Sequence, residues 1–139
     1  MIREVIDFSQ NHMATTFVLK VSCEPLRRRA AESVLYEAHR LISEIENEVS
    51  EYREDSELSL FNRIPPNEKF SPKSESLKDL LRLSHRLFQE TEGGFDPSFR
   101  SEGEGTFTDR IQYDPAHGTI EKLKNGIRLG FGAIGKGYA

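Results

Sequence analysis

A helical repeat of apolar residues dominates the first half of the chain. Its members recur at every third or fourth position, as Leu26, Ala30, Val34, Ala38, Leu41, Ile45 and Val49. This spacing is typical of one face of an amphipathic helix. Pro25 suits the first turn of that helix, which we expect to end near Tyr52. The charged residues Arg27 to Arg29, and Glu44, Glu46, Glu48 and Glu51, are interpreted as its solvated face.

Strand and helix signals flank this segment. Residues 1–13 are expected to form a strand or arm, and residues 15–21 a strand with Phe17, Leu19 and Val21 on one face. Residues 53–70 are expected to be a loop with a short helical turn around 58–62. A second helix is predicted to begin at Ser71-Pro72 and to end at Gly93-Gly94. Its predicted buried stripe is Leu77, Leu80, Leu81, Leu87 and Phe88.

The last third of the chain changes to a strand-like period. Residues 106–113 are predicted to be a strand, and residues 119–123 and 127–131 flank Asn125-Gly126. Asn-Gly between alternating apolar residues is the strongest short hairpin signal. The sequence therefore predicts a single α+β domain over residues 1–139, with two helices packed on a mostly antiparallel sheet.

Composition excludes several classes of protein. The 139 residues carry a net charge of -4, so a basic surface for nucleic acid is not expected. No apolar run reaches the length of a membrane span, and the first residues do not resemble a signal peptide. We therefore expect a soluble, cytoplasmic protein that binds neither membrane nor nucleic acid. Cys23 is the only cysteine, and it is interpreted as a small packing residue.

The chain ends in a glycine-rich segment with one lysine, residues 130–139. Its glycines satisfy both G-x-G-x-x-G and G-x-x-x-x-G-K. The first motif requires a following helix and a second strand, and the second requires a hydroxyl residue where Gly137 stands. We exclude both readings. A loop that approaches a ligand and a flexible strand end that contacts nothing both remain open.

Two further segments are candidate ligand contacts. Residues 91–98 follow the second helix and could present backbone groups to the edge of a flat ring, although an ordinary helix stop explains them as well. Tyr52 could stack on such a ring or simply pack. The four histidines are scattered, and no G-x-S-x-G occurs. The sequence therefore supports neither a zinc site nor a serine-hydrolase elbow.

Four segments in this order resemble a known family. They are residues 12–17, residues 49–62, residues 91–98 and residues 132–139. Together they resemble the amino-terminal half of the ApbE family, the FAD:protein FMN transferases, from Met13 to the last residue, Ala139.

The resemblance implies an activity and a site. Members of the family split FAD and attach its FMN part to a threonine of a target flavoprotein, assisted by Mg²⁺. By position, the residues implied to bind FAD are Met13, Tyr52, Gly94, Phe95, Asp96 and Lys136. The carbonyl of Ala133 would be a ligand of Mg²⁺, and Ser56 and Asn62 would fasten the loop. No catalytic residue is assigned.

The chain also departs from the family pattern. Ala14 stands in place of a glycine, and Gly130 in place of an acidic residue that contacts FAD in the family. The family continues beyond the segment that corresponds to Ala139, and that half completes the Mg²⁺ site. We therefore expect a transferase completed by a carboxy-terminal half, a second copy or another chain. The alternative is a non-catalytic flavin-binding or self-associating module.

Overall fold

A computed structural model describes all residues, 1–139, as an α+β arrangement of helices and two separate two-stranded antiparallel sheets. This confirms the predicted fold class. The chain divides into two compact units, Met1–Glu46 and Asn47–Ala139. The single-domain assignment made from sequence stays a prediction. None of the helices combines the length and the apolar character needed to cross a membrane.

The first unit contains a β-hairpin. Strand β1, Glu4–His12, pairs antiparallel with β2, Thr15–Cys23, so that Ile6 faces Val21. Met13 and Ala14 form the two-residue turn, with φ of 51° and 58°. Two successive positive φ values match the twist of a tight hairpin. Ala14 thus adopts a conformation that glycine would adopt with less strain.

The long helix α1, Arg28–Val49, follows a single 3-10 turn at Pro25–Arg27. The predicted apolar stripe is wrong in its phase over most of the helix, and Val49 is its only buried member. The buried face consists of Ala31, Leu35, His39, Ile42 and Val49, whereas Leu26, Val34 and Leu41 are 98%, 61% and 48% exposed. Apolar residues occur on both faces and a histidine occupies the buried one. The period therefore predicted the helix but not its orientation.

Two buried histidines connect α1 to the hairpin within the first unit. His39 Nε2 lies 2.8 Å from the carbonyl of Phe8, and His12 Nε2 lies 2.9 Å from His39 Nδ1. A carbonyl only accepts, so a neutral His39 donates from Nε2 and accepts at Nδ1. His12 must then donate from Nε2, which leaves its Nδ1 to accept from the Ser43 hydroxyl at 3.3 Å. This assignment of donors and acceptors is the one that two neutral imidazoles allow.

This arrangement predicts a loss of stability in mild acid. Burial and the neighbouring His39 lower the pKa of His12, and Glu46 only partly opposes them. Below the ordinary value of about 6.5 the unfolded chain binds the proton more readily than the folded chain. We expect the free energy of unfolding to fall as the pH drops below about 6.5. Urea unfolding between pH 8 and pH 5 measures it.

The matched variants for this test are His12→Gln and His117→Gln. His117 is exposed in the second unit. We expect His12→Gln to flatten the pH dependence and His117→Gln to leave the loss below pH 6.5 in place. An identical pH profile for the wild type and His12→Gln would contradict the assignment.

The second unit begins with two capped helices. Helix α2, Glu57–Arg63, starts at Ser56, whose hydroxyl accepts from Ser59 N at 3.0 Å. This helix confirms the predicted short turn. Helix α3, Glu75–Glu90, starts at Ser74 and not at the predicted Ser71-Pro72. The reason is that Glu57 accepts from the backbone N–H groups of Lys73 and Ser74 and fixes the later start.

The rest of the second unit differs from the prediction in three places. Residues 106–113 begin as helix α4, Phe107–Arg110, and only then form strand β3, Ile111–Asp114. Strand β3 pairs with β4, Thr119–Lys122, through the turn after Asp114, and not through Asn125-Gly126. Residues 127–131 are not a strand, and residues 135–138 form the short helix α5, Gly135–Tyr138.

The core of the second unit explains these differences. The apolar side chains of residues 127–131 are buried although the segment has no strand partner. Their alternation therefore reflects burial and not sheet pairing. The buried apolar residues of this core are Leu58, Phe61, Leu77, Leu80, Leu81, Phe107, Ile111, Ile120, Ile127, Leu129 and Phe131.

Candidate functional site

A cavity of about 610 Å³ in the second unit is the candidate binding site. Backbone-rich segments contribute much of its lining, namely residues 93–97 with Gly130, Gly132 and Ala133. The remaining lining residues are Glu51, Phe99, Arg100, Gly105 and Arg110. Its volume lies within the range typical of small-molecule sites. A lining of exposed peptide groups and cations suits a planar ligand that carries negative charge.

The turn after α3 presents backbone groups to this cavity. Gly93 has a φ of +82° in the turn that follows α3, and its N–H donates to the Phe88 carbonyl at 2.9 Å. The N–H of Gly94 donates to the Thr91 carbonyl at 3.0 Å, and the N–H of Phe95 donates to the Thr91 hydroxyl at 2.8 Å. The carbonyls of Gly94 and Phe95 make no hydrogen bond within the chain. The chain itself therefore uses neither of these two acceptors.

The Asp96 side chain holds the turn in place. Its Oδ1 accepts from the N–H and the hydroxyl of Ser98 at 2.8 and 2.7 Å. Its Oδ2 accepts from the N–H of Phe107 at 3.2 Å, at the start of α4. Both carboxylate oxygens are thus engaged. These hydrogen bonds fix the side chain within the chain, so a contact through the backbone of Asp96, as the resemblance implies, would leave them intact.

A buried arginine supports the same wall. Arg110 is 5% exposed. Its guanidinium donates to the Ser98 carbonyl at 2.8 Å and to the Gly103 carbonyl at 2.9 Å, and its Nε has no partner. One side chain thereby fixes the segment before α4 against the turn after α3.

Two further arginines, Arg100 and Arg128, surround Glu51. Glu51 lines both the larger cavity and a smaller one of about 280 Å³. Arg100 donates to Glu51 Oε1 at 3.0 Å and to the Tyr52 hydroxyl at 2.5 Å. Its guanidinium carbon lies 5.9 Å from the centre of the Tyr52 ring. The hydrogen bond to Tyr52 and the Glu51 carboxylate raise the pKa of Arg100. Arg128 approaches the other oxygen of Glu51 at 3.3 Å.

The structure brings together only part of the site implied by the resemblance. Gly94, Phe95, Asp96 and Ala133 line the larger cavity, and Tyr52 lines the smaller one. Lys136 lies on α5 and is exposed, but it lines neither cavity. Met13 lies in the hairpin turn of the first unit. The roles of all these residues in binding stay predictions.

Sequence reasoning missed the charged residues of the site. The interpretation of Glu51 as part of the solvated helix face is wrong, because its side chain is only 5% exposed. Arg100, Arg110 and Arg128 were not singled out. The feature of the sequence that could have indicated a buried side chain is Gly130. A glycine next to an apolar core leaves space that another side chain can fill.

The chain alone does not make a Mg²⁺ site. No group of three or more His, Cys, Asp or Glu side chains is placed to hold a metal ion. Ala133 offers one backbone carbonyl, whereas Mg²⁺ demands near-octahedral oxygen coordination. Most of the ligands of such an ion would have to come from elsewhere.

The Asn62 side chain fastens the segment that leads to Gly130. Its Nδ2 donates to the Leu129 carbonyl at 3.0 Å, and its Oδ1 accepts from the Leu129 N–H at 2.9 Å. Leu129 is fully buried, so both of its backbone groups depend on this one side chain. The Gly130 N–H then donates to the Pro97 carbonyl at 2.9 Å and joins the two glycine-rich segments.

Replacing Asn62 by alanine leaves two buried backbone groups unpaired. We expect a loss of about 2–3 kcal/mol in the free energy of unfolding. Urea unfolding followed by far-UV circular dichroism measures the change. Asn125→Ala, in an exposed loop, is the matched control and should change stability by less than about 0.5 kcal/mol. Equal stability of the two variants would show that water replaces the Asn62 hydrogen bonds.

Comparison with known proteins places the chain. A sequence model of the ApbE family matches residues 13–104. The chain is similar to a protein named FAD:protein FMN transferase from Vibrio cholerae, at 32% identity over 93 residues. That match covers 67% of this chain and 27% of the relative.

Solved structures agree with this match at the level of the fold. Flavin transferase ApbE from Vibrio cholerae superposes with a TM-score of 0.81 at 22% identity, over 99% of this chain and 51% of that one. The apo form of the flavinyl transferase ApbE from Pseudomonas stutzeri gives a TM-score of 0.76 at 20% identity, over 97% and 52%. The chain thus spans about half the length of these structures. Because the family model covers most of its residues, the chain belongs to the ApbE family.

Proposed function

We propose that this chain is the flavin-nucleotide-binding part of an FAD:protein FMN transferase. The observation that carries the proposal is the cavity of about 610 Å³, which combines free backbone acceptors with arginine side chains. FAD offers a matching set of groups, namely a flat ring with N–H donors and a diphosphate. The relative named FAD:protein FMN transferase supports FAD as the substrate.

The free carbonyls of Gly94 and Phe95 would accept from the edge of the ring, and the Asp96 backbone would complete this contact. Tyr52 would stack on the flavin nucleotide, and Arg100 and Arg128 would neutralise the phosphates. Met13 and Lys136 are part of the proposal through the family resemblance alone.

The proposed reaction is transfer of FMN to a threonine of a target flavoprotein. The threonine oxygen forms a bond to the FMN phosphorus while the bond from that phosphorus to the bridging oxygen breaks. AMP leaves with the bridging oxygen, and the threonine proton is released. Such a transfer depends on alignment and charge neutralisation more than on a covalent nucleophile. Arg100 and Arg128 would provide part of that neutralisation.

Dependence on Mg²⁺ is also part of the proposal, with the Ala133 carbonyl as one ligand. The other ligands would come from a carboxy-terminal half, a second copy or another chain, so a homo-oligomer or a two-chain assembly is proposed with it. We also propose a cytoplasmic location.

Titration of the chain with FAD, followed by flavin fluorescence with and without Mg²⁺, tests the proposal. Binding strengthened by Mg²⁺ would support a complete site and lead to transfer assays with a threonine-bearing acceptor. No binding of FAD under either condition would overturn the proposed function for this chain.

A second candidate is a non-catalytic flavin-binding or self-associating module. The lack of a metal-binding cluster favours it. It predicts FAD binding that is indifferent to Mg²⁺ and no transfer of FMN to any acceptor. Turnover with FAD and Mg²⁺ would exclude it.

A further inference from the structure

Glu51 carries a buried charge with an unfilled hydrogen-bonding position. Its side chain is 5% exposed, and it lines both cavities of the second unit. Oε1 accepts from Arg100, but Oε2 has no hydrogen bond, because Arg128 Nε at 3.3 Å is placed for charge attraction only. A buried charged oxygen without a donor is destabilising. Its persistence in a cavity wall indicates a donor that arrives with a ligand.

The position of this carboxylate depends on Gly130. A Cβ on Gly130 would lie 2.8 Å from Glu51 Oε2 and 2.9 Å from Oε1 and from the carboxyl carbon. Real Cβ atoms do not approach so closely, so any other residue would displace the carboxylate. The carboxylate of Glu51 therefore occupies the space that a side chain at position 130 would fill, directly above the glycine-rich segment.

The two arginines around Glu51 have capacity to spare. They share one carboxylate, so the group Glu51, Arg100 and Arg128 carries a net positive charge. Their side chains are 46% and 45% exposed. Arg100 uses only one of its three nitrogens, the one that meets Glu51 and Tyr52. Phosphate oxygens are strong partners for the remaining N–H groups.

We infer that Glu51 is a ligand-recognition residue that accepts a hydrogen bond from a hydroxyl or amine of a dinucleotide while Arg100 and Arg128 pair with its phosphates. The inference rests on the proposed function. Pairing with phosphate draws the guanidinium groups away from Glu51 and exposes the carboxylate to the donor. Without that donor the buried oxygen stays unsatisfied, so a ligand carrying both groups binds more tightly than one carrying either alone.

The test moves the carboxylate from one residue to the other. Glu51→Ala removes the carboxylate, and Glu51→Ala with Gly130→Asp returns one to the same space from the opposite side. We expect Glu51→Gln and Glu51→Ala to raise the Kd for FAD by about 10- to 100-fold, the worth of one charged hydrogen bond. The double variant should recover at least about tenfold of this loss. Gly130→Asp alone should bind poorly, since two carboxylates then compete for one space.

Binding is measured by flavin fluorescence titration of the full chain, with circular dichroism as the check on folding. Glu68→Gln makes the same chemical change on an exposed residue outside both cavities and should bind as the wild type does. A purely structural role for Glu51 predicts that the relocated carboxylate restores nothing. That result, or wild-type affinity in Glu51→Gln, would overturn the inference while leaving the proposed function intact. If the wild type binds no FAD, the proposed function fails and the inference fails with it.

Discussion

Replacing Phe61 by alanine is expected to lower the free energy of unfolding of the second unit by about 3–5 kcal/mol. Phe61 is fully buried, and its ring packs 5.6 Å from that of Phe70. The loss combines the transfer of apolar surface back to water with the cavity left in the core. Urea unfolding followed by far-UV circular dichroism at neutral pH measures it.

A charged neighbour adds to the effect of this change. Lys122 is 5% exposed, and its Nζ lies 5.6 Å from the centre of the Phe61 ring. Burial lowers the pKa of Lys122, and its one hydrogen bond runs to the Asn62 carbonyl. Without the ring the ammonium loses a cation–π contact and faces an empty cavity. The damage would therefore spread to Asn62 and to the segment that it holds.

The matched control lies one residue earlier on the same helix. Leu60 is 49% exposed, and we expect Leu60→Ala to cost less than about 1 kcal/mol. The two variants change the same helix by similar chemistry, so their difference isolates burial. A cost for Phe61→Ala close to that of Leu60→Ala would show that the core around Phe61 collapses freely.

The sequence predicted the two long helices, and it predicted most of the buried face of α3 but not that of α1. In α1 the apolar residues Val34 and Leu41 keep the helical period, yet the buried face runs one residue away through Leu35 and His39. Two stripes one position apart have the same period. What chooses between them is the partner surface, which in the first unit includes Ile6 and Cys23 of the hairpin. No window of local sequence contains that information.

The predicted hairpin at Asn125-Gly126 does not form, for a related reason. The alternating pattern of residues 127–131 arises because every second side chain enters the core, while Asn62 supplies the hydrogen bonds that a partner strand would have supplied to Leu129. A side chain that replaces a strand leaves no trace in the local pattern. The turn after Asp114 closes the hairpin that does form.

The candidate site likewise contains features that the local sequence reveals and features that depend on the fold. The proposed backbone contacts of Gly94 and Phe95 follow from glycine motifs, which sequence can reveal. The burial of Glu51 depends on the bare backbone of Gly130, far along the chain. From sequence alone, a glutamate at the end of a helix is expected to be solvated. Here the fold places Gly130 against the Glu51 carboxylate, and the side chain is buried.

Replacing Arg110 by methionine is expected to combine a loss of about 1–3 kcal/mol in the free energy of unfolding with a loss of FAD binding. The guanidinium donates to the carbonyls of Ser98 and Gly103. The Ser98 carbonyl also accepts from the N–H of Ser101 at 2.9 Å, whereas the Gly103 carbonyl has no second donor. Methionine fills much of the volume but leaves the Gly103 carbonyl without a donor from the chain, at about 1–3 kcal/mol, and removes one of the two donors to the Ser98 carbonyl. The segment around Ser98 then loosens, and with it the cavity wall formed by residues 93–97.

Two further variants serve as comparisons for Arg110→Met: one keeps the charge at position 110, and the other makes the same substitution at an exposed position. Arg110→Lys keeps the charge, but an ammonium lacks the planar fork that reaches two carbonyls, so we expect it to recover less than half of the lost stability. Arg86→Met makes the same substitution on the exposed side of α3 and should change neither stability nor FAD affinity. If Arg110→Met unfolds at the wild-type urea concentration and binds FAD normally, the wall does not depend on this side chain. If Arg110→Lys matches the wild type in stability and FAD affinity, a positive charge is sufficient to hold the cavity wall, and the two hydrogen bonds from a planar guanidinium are not required.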